Sequence, residues 1–262
     1  MYSKKERGLT LVELMVAGLL GAIVVLTMTT VYVSVVRSGS ETLQMSKLNQ
    51  ELSALMGIMV GDIRRAGFNG AVNTSALSTN PFSQVDSTTL EVIDSKASNT
   101  QVAANSSSGG ECIVYTFDAD EDGVLDDIDI FGFRLNSGVV QMRQQGDAAN
   151  ARHDSCANDS DDTWLDVTDG AVVTVETLNF ALNFSACLNT AEPNEIDDDG
   201  DSTTDEADEA DCYTVAPSTG DITTETREIT ITLVGSLVAD PDVRVSLTQN
   251  VRVRNDMVRV RA

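Results

Sequence analysis

The sequence predicts an α+β fold in which a long N-terminal α-helix packs on a globular domain built from an antiparallel β-sheet. The chain carries no charged residue from Leu14 to Val36. An apolar stripe then follows at helical spacing, at Leu48, Leu52, Leu55, Met59 and Ile63. From residue 112 onward, segments rich in β-branched and aromatic residues alternate with turn residues, which is typical of strands. A helix followed by such strands defines the α+β class.

The uncharged segment is long enough to cross a membrane. Twenty-three helical residues extend about 35 Å, and the hydrocarbon core of a bilayer is roughly 30 Å thick. Lys4, Lys5 and Arg7 precede the segment and predict a cytoplasmic N-terminus with the remaining chain outside the cytoplasm. A cleaved secretory signal is the alternative, but its apolar core usually spans only about 7 to 15 residues.

Glu13 lies at the start of this apolar segment. A carboxylate inside a membrane is costly unless it is neutralised or paired. No basic residue follows Glu13 before Arg37. We therefore expect its partner upstream, in another chain, or in a charge that processing creates.

The segment "RGLTLVELMVAGLLGAIVV" resembles the N-terminus of the type IV pilin and pseudopilin superfamily. It contains a basic leader ending in glycine, a Thr-Leu-hydrophobic-Glu box and an apolar helix. The resemblance implies that prepilin peptidase cuts between Gly8 and Leu9 and methylates the new N-terminus of Leu9. It also implies that Glu13 faces the N-terminal amine of a neighbouring pilin subunit during assembly. Leu9 differs from the Phe that is common at this position in the family.

Two further segments narrow the resemblance. "GDIRRAGF" at 61–68 and "SLTQNVRVRND" at 246–256 resemble PilW-type minor pilins and the related J-type pseudopilins of type II secretion. The absence of a helix-bending Pro in the apolar stretch favours a minor subunit over a major one.

The resemblance implies a minor pilin that contributes to assembly of a type IV pilus. Its partners would be prepilin peptidase and, through the N-terminal helix, other pilin subunits. Its location would be the inner membrane before assembly and the pilus at the cell surface afterwards. A type II secretion pseudopilin remains an alternative, as does a calcium-dependent, membrane-anchored surface adhesin that does not polymerise.

The predicted domain organisation has four parts. They are a leader at 1–8, an apolar helix half at 9–36, an amphipathic helix half at 37–68 and an extracytoplasmic β-rich domain at 69–262. One helix should therefore run from Leu9 to near Ala66. Strands are predicted at 90–93, 112–117, 128–135, 139–143, 171–184, 227–237 and 243–254.

The composition argues against two classes of function. The formal net charge is −24, whereas nucleic acid binding depends on Lys and Arg. The single histidine, His153, cannot supply the usual zinc ligand sets, and its surroundings show no triad spacing. We predict neither a nucleic acid partner nor an enzyme.

The acidic segment at 118–129, which we call the first acidic loop, has the spacing of a calcium loop. Seven of its twelve residues are acids, and none is basic. Asp118, Asp120 and Asp122 occupy positions 1, 3 and 5, and Gly123 at position 6 permits a sharp turn. Val124 would offer its backbone carbonyl at position 7, and Asp126 and Asp129 complete the set at positions 9 and 12. Position 12 is usually Glu, so fewer oxygens would coordinate here.

The segment at 192–211, the second acidic loop, also suggests calcium. Its eleven acids allow two registers, one beginning at Glu195 and one at Asp197. The candidate ligands are Asp197, Asp199, Asp201, Asp205 and Glu206, with Asp208 in the second register. One or two bound calcium ions are expected in total.

Four cysteines are consistent with an oxidising compartment and allow three pairings. We favour Cys112 with Cys156 and Cys187 with Cys212, because each bond then brackets one acidic loop in sequence. In the chain-entropy view, each closed loop would stabilise the fold by about 3 to 4 kcal/mol.

Overall fold

The computed structural model describes residues 10–70, 80–82, 90–104, 106–146, 155–157 and 163–261. His153 lies outside these ranges. The chain divides into two compact units, one ending at Lys47 and the other beginning at Leu48.

Helix α1 begins at Leu11 and ends at Ile63, close to the predicted limits. Thr10 and Glu13 form a capping box at its start. The Glu13 carboxylate accepts a hydrogen bond from the Thr10 backbone N–H at 2.9 Å, and the Thr10 hydroxyl accepts one from the Glu13 N–H at 3.3 Å. This exchange satisfies two of the donors that every helix start leaves unpaired.

The two halves of α1 have different surroundings. The apolar side chains from Leu11 to Val36 are exposed. From Leu48 onward one face is buried, as the helical spacing predicts, and it consists of Leu48, Leu52, Leu55, Met56, Met59, Val60 and Ile63. Burying a side chain of this size contributes about 1.5 to 3 kcal/mol. The second half of the helix is therefore part of the core of the second unit.

The first sheet has five antiparallel strands in sequence order, β1 to β5. Their bounds are β1 Glu91–Ile93, β2 Cys112–Thr116, β3 Ile130–Asn136, β4 Val139–Gln145 and β5 Thr163–Asp166. The β3–β4 turn contains Ser137 and Gly138, both with positive φ, as expected for a tight hairpin. Trp164 lies in β5 at the edge of the sheet.

Two three-stranded antiparallel sheets complete the second unit. One has the order β10-β9-β6 and the other the order β11-β8-β7. The bounds are β6 Val173–Ala181, β7 Ala186–Asn189, β8 Ile222–Thr226, β9 Glu228–Leu237, β10 Asp240–Arg252 and β11 Met257–Val260.

An isolated bridge joins the first sheet to the second. Gly110, just before β2, exchanges backbone hydrogen bonds of 2.9 and 2.8 Å with Phe180 in β6. A Cβ atom at Gly110 would lie 2.1 Å from the Ile93 carbonyl oxygen. Only glycine can lie this close to Ile93 while its backbone pairs with Phe180, so a residue with a side chain at position 110 would disrupt the connection between the two sheets.

Four strands were not predicted from the sequence, namely β5, β7, β8 and β11. Each is only four or five residues long. Three of them make up the smallest sheet, which depends on pairing between distant segments. Short segments of this kind carry too few residues to show a period of two.

The disulfides join Cys112 to Cys156 and Cys187 to Cys212, the pairing favoured from the sequence. Their positions relative to the acidic loops differ. Cys112 begins β2 while Asp118 follows its other end, so the first bond is remote from the loop that it brackets in sequence. The second bond lies at the base of the second acidic loop, where the Asn189 N–H also donates to the Ala210 carbonyl at 2.8 Å.

Candidate functional site: two acidic loops and the start of the helix

The first acidic loop connects β2 to β3. Asp118 follows β2, and Asp129 ends a short 3₁₀ turn at Asp127–Asp129 that leads into β3. Both carboxylates are buried, with 1% and 0% of their residue surface exposed. The sheet therefore positions the first and last candidate ligands side by side.

Backbone N–H groups hold the two buried carboxylates in place. Asp118 accepts hydrogen bonds from Asp122 at 3.1 Å, Gly123 at 3.0 Å and Gly70 at 2.8 Å. Gly123 has φ of +79°, which is the sharp turn expected at position 6. Asp129 accepts from the N–H groups of Ala119 at 2.8 Å and Asp126 at 3.0 Å.

Three of the predicted ligands converge. Carboxylate oxygens of Asp118, Asp120 and Asp129 all lie within 4.8 Å of one another, so this group could hold a metal ion. Asp122 is not part of the group, and its carboxylate accepts from the Val124 N–H at 2.7 Å. Asp126 likewise caps the 3₁₀ turn, accepting from the Ile128 N–H at 3.0 Å. The converging residues therefore occupy positions 1, 3 and 12.

The electrostatics of this group favour a cation. Burial raises the pKa of Asp129, hydrogen bonds from Ala119 and Asp126 oppose that rise, and the nearby charges of Asp126 and Asp118 add to it. A divalent cation would oppose the rise in the pKa of Asp129, because a positive charge favours the ionised form of the carboxylates.

The second acidic loop connects β7 to β8 and contains two overlapping groups of acids. One group is Glu192, Asp205 and Glu209, and the other is Asp197, Asp199 and Glu209, each with carboxylate oxygens within 4.8 Å of one another. Three predicted ligands, Asp197, Asp199 and Asp205, are therefore included. Asp201 and Glu206 belong to neither group.

Glu209 is shared by both groups and was not predicted from the sequence. Only 1% of its surface is exposed, and its carboxylate accepts from the N–H groups of Asp198 at 2.7 Å and Glu206 at 3.1 Å. The sequence places Glu209 in the acidic run, but a run with so many registers does not reveal which acid is buried. Burial also raises the pKa of Glu192 and of Glu206.

Turns within this loop are organised by carboxylates. Asp197 accepts from the N–H groups of Gly200, Asp201 and Ser202 at 2.6 to 3.1 Å. Asp205 accepts from Asn194 at 2.8 Å and Glu195 at 2.9 Å. The loop is therefore built around its own acids, and it could hold a metal ion at either group.

The predicted processing site, Gly8 and Leu9, lies outside the described residues. Glu13 lies within them, in the first turn of α1. This helix includes a segment long and apolar enough to cross a membrane, with a mean hydropathy of 2.4 and none of its residues buried. It fits a membrane anchor.

A family model for prepilin peptidase-dependent protein B matches residues 41–253. The chain belongs to this family. The match begins after the N-terminal box, so it identifies a pilin-related protein independently of that box, although it includes the segment at 61–68 and most of the segment at 246–256. Comparisons with curated proteins and with solved structures gave no match.

Replacing Glu209 should release the second acidic loop. Glu209→Ala removes a buried acceptor of two hydrogen bonds, and bonds to a charged group contribute about 1.5 to 3 kcal/mol each. In calcium-free buffer, limited proteolysis read by mass spectrometry should show cleavage within residues 192–211 that is several times faster than in the native chain. Asp208→Ala is the matched control, because it removes the same charge from an exposed neighbour. Equal cleavage of the two variants would contradict an anchoring role for Glu209.

Proposed function

We propose that the chain is a PilW-like minor pilin. It is inserted in the inner membrane as a precursor, processed by prepilin peptidase, and then incorporated in a type IV pilus, where it contributes to assembly. The observation that carries this proposal is the division of α1 into an exposed apolar half and a half that is buried in the second unit. The proposed role is structural, not catalytic.

The exposed half needs a non-aqueous environment. Large apolar side chains are exposed along the helix from Leu11 to Val36. Exposed apolar surface of this extent marks a membrane or protein contact. A pilin requires a membrane contact first and a protein contact afterwards, because the same segment anchors the subunit in the membrane and then packs among other helices in the filament.

The position of Glu13 supports a role in assembly. Its carboxylate lies in the first helical turn, where the helix dipole favours negative charge. Cleavage after Gly8 would create an α-amine at Leu9, close to the start of the helix. In a filament, the amine of one subunit would provide the partner for Glu13 of another, which offsets the cost of burying this charge.

The first prediction from this proposal concerns the mature N-terminus. Mass spectrometry of the chain recovered from its native cells should find N-methylated Leu9, because the peptidase box is intact. An uncleaved adhesin would retain residues 1–8. Recovery of Met1 or Tyr2 at the N-terminus would therefore contradict the pilin assignment.

The second prediction concerns incorporation in the filament. Glu13→Val should leave the chain processed and inserted in the membrane, because it makes the anchor more apolar, but its content in sheared pili should fall at least tenfold. Immunoblots of membrane and pilus fractions measure both quantities. Glu41→Val is the matched control, since Glu41 is an exposed acid further along the same helix. Normal incorporation of Glu13→Val would exclude the proposed pairing.

We further propose that the first acidic loop binds a metal ion and that this ion is calcium. The converging ligands of the first acidic loop are all carboxylates, which suit a hard divalent cation. Two of them are buried, and Gly123 provides the turn of a calcium loop. Affinities of 10⁻⁴ to 10⁻³ M are typical of extracellular modules and suffice outside the cell.

Calcium should stabilise the native chain by mass action. Thermal unfolding of the full chain in detergent should show a higher midpoint in 5 mM calcium than in chelator, and a smaller rise with magnesium, which demands a stricter geometry. Asp120→Asn should reduce the calcium-dependent rise, because Asp120 belongs to the converging group.

Asp122→Asn is the matched control. It removes the same charge from the same loop, but Asp122 only stabilises a local turn. If the two variants respond to calcium as the native chain does, the first acidic loop is a solvated turn and not a calcium site.

A further inference from the structure

We propose that the second unit contains a binding pocket for a carboxylate ligand, beside the smallest sheet and distinct from the acidic groups of both loops, although Cys212 at the base of the second acidic loop lines it. The pocket has a volume of about 360 Å³, within the usual range for small-molecule sites. Its polar wall includes Tyr213, Arg227, Arg259 and Arg261. This proposal goes beyond the pilin assignment and does not depend on it.

The cations of the pocket surround one buried acid. Glu225 in β8 is 2% exposed, and its carboxylate accepts from Arg227 at 2.6 Å and from Arg261 at 2.9 Å. Its Oε1 atom also lies 3.6 Å from Nε of Arg259. The Tyr213 hydroxyl lies 3.4 Å from the same carboxylate. Register explains the convergence, because Glu225 in β8 faces Cys187 in β7 and Met257 in β11, two residues before Arg259.

Glu225 alone cannot satisfy all the donors of the arginines around it, and Glu91 is a second acid in the described lining. Each guanidinium carries five N–H groups, whereas a carboxylate offers about four acceptor positions. The Nε atoms of Arg227 and Arg261 are buried and have no hydrogen-bond partner. Arg227 is itself only 7% exposed. These two Nε atoms have less than 1 Å² of accessible surface, so a ligand would instead meet the Arg261 side chain, which is 26% exposed. Glu225 holds the arginines in place, so the pocket presents a preorganised positive wall to a ligand that brings acceptors.

The charges of the pocket select a monoanion. Three arginines and two glutamates, Glu91 and Glu225, belong to its described lining, which leaves one net positive charge. This local excess lies in a chain with a net charge of −24. A single carboxylate would balance the pocket, whereas a phosphate dianion would leave it with one net negative charge.

The apolar part of the lining also favours a carboxylate that carries an aliphatic body. The planar fork of Arg matches the two oxygens of a carboxylate. Leu90, Val102 and Leu182 line the same pocket and would contact an aliphatic body. A short aliphatic carboxylate therefore fits, either free in solution or as an acidic side chain of a peptide.

The test is thermal unfolding of the full chain in detergent at constant calcium, with butyrate as the probe. At ten times its Kd, butyrate should raise the midpoint by roughly 3 to 6 °C. Chloride at equal ionic strength should have no such effect, and phosphate should have less. The same measurement is repeated with an acetylated and amidated Ala-Glu-Ala peptide as a second probe. Stabilisation by butyrate indicates a free carboxylate, and stabilisation by the peptide alone indicates an acidic side chain.

Three variants distinguish a binding pocket from a purely structural ion cluster. Arg261→Gln should abolish the rise caused by butyrate, whereas Arg252→Gln should retain it, because Arg252 is 63% exposed and pairs with Asp256 at 3.6 Å outside the pocket. Ala104→Leu should reduce the volume of the pocket while leaving every charged residue in the sequence, and it should also abolish the rise. This variant carries the test if Arg261→Gln does not fold.

Either of two results would overturn the proposal. In one, neither the peptide nor butyrate stabilises the native chain more than chloride does, or phosphate stabilises it more than both. In the other, the rise caused by butyrate persists in Ala104→Leu or is lost equally in Arg252→Gln.

Discussion

The apolar surface at the start of α1 is the constraint on which the rest of the molecule depends. Side chains from Leu11 to Val36 are exposed, and water is an unfavourable environment for so much contiguous apolar area. The same helix supplies seven buried side chains to the core of the second unit. The first half of the helix therefore fits a membrane anchor, and the second half belongs to the folded domain that the family match covers.

The end of α1 is joined to the first acidic loop through a small number of polar contacts. The Tyr115 hydroxyl in β2 donates to Asp62 in the last turn of the helix at 2.7 Å. Burial and the Asp62 carboxylate raise the pKa of Tyr115 well above its ordinary value, so the phenol remains a neutral donor. Asp118 receives the Gly70 N–H just beyond the helix. A cation bound by the first acidic loop would thus stabilise the junction between helix and sheet.

The chain uses its acids in two ways that the net charge alone does not distinguish. In both acidic loops, carboxylates first accept backbone N–H groups and so define turns, and only some of them converge closely enough to share a cation. Glu225 instead lies among arginines at the smallest sheet. Burial decides these roles, because a desolvated carboxylate requires donors or cations that an exposed one does not.

Local pattern was sufficient to predict the helix, its buried stripe and most strands of the two larger sheets. The favoured disulfide pairing is also the observed one, although only the second bond lies beside the loop that it brackets. Local pattern also identified Asp118, Asp120 and Asp129 as candidate ligands, because the spacing of a calcium loop is a property of one continuous segment. The smallest sheet, the shared role of Glu209, the exclusion of Asp122 from the converging group and the arginine pocket appeared only in the tertiary structure. Each of these depends on contacts between segments that are distant in sequence, or on which of many similar acids becomes buried. The packing of the whole domain determines which distant segments pair and which acids become buried, whereas a helical period or a loop spacing can be recognised in a few consecutive residues.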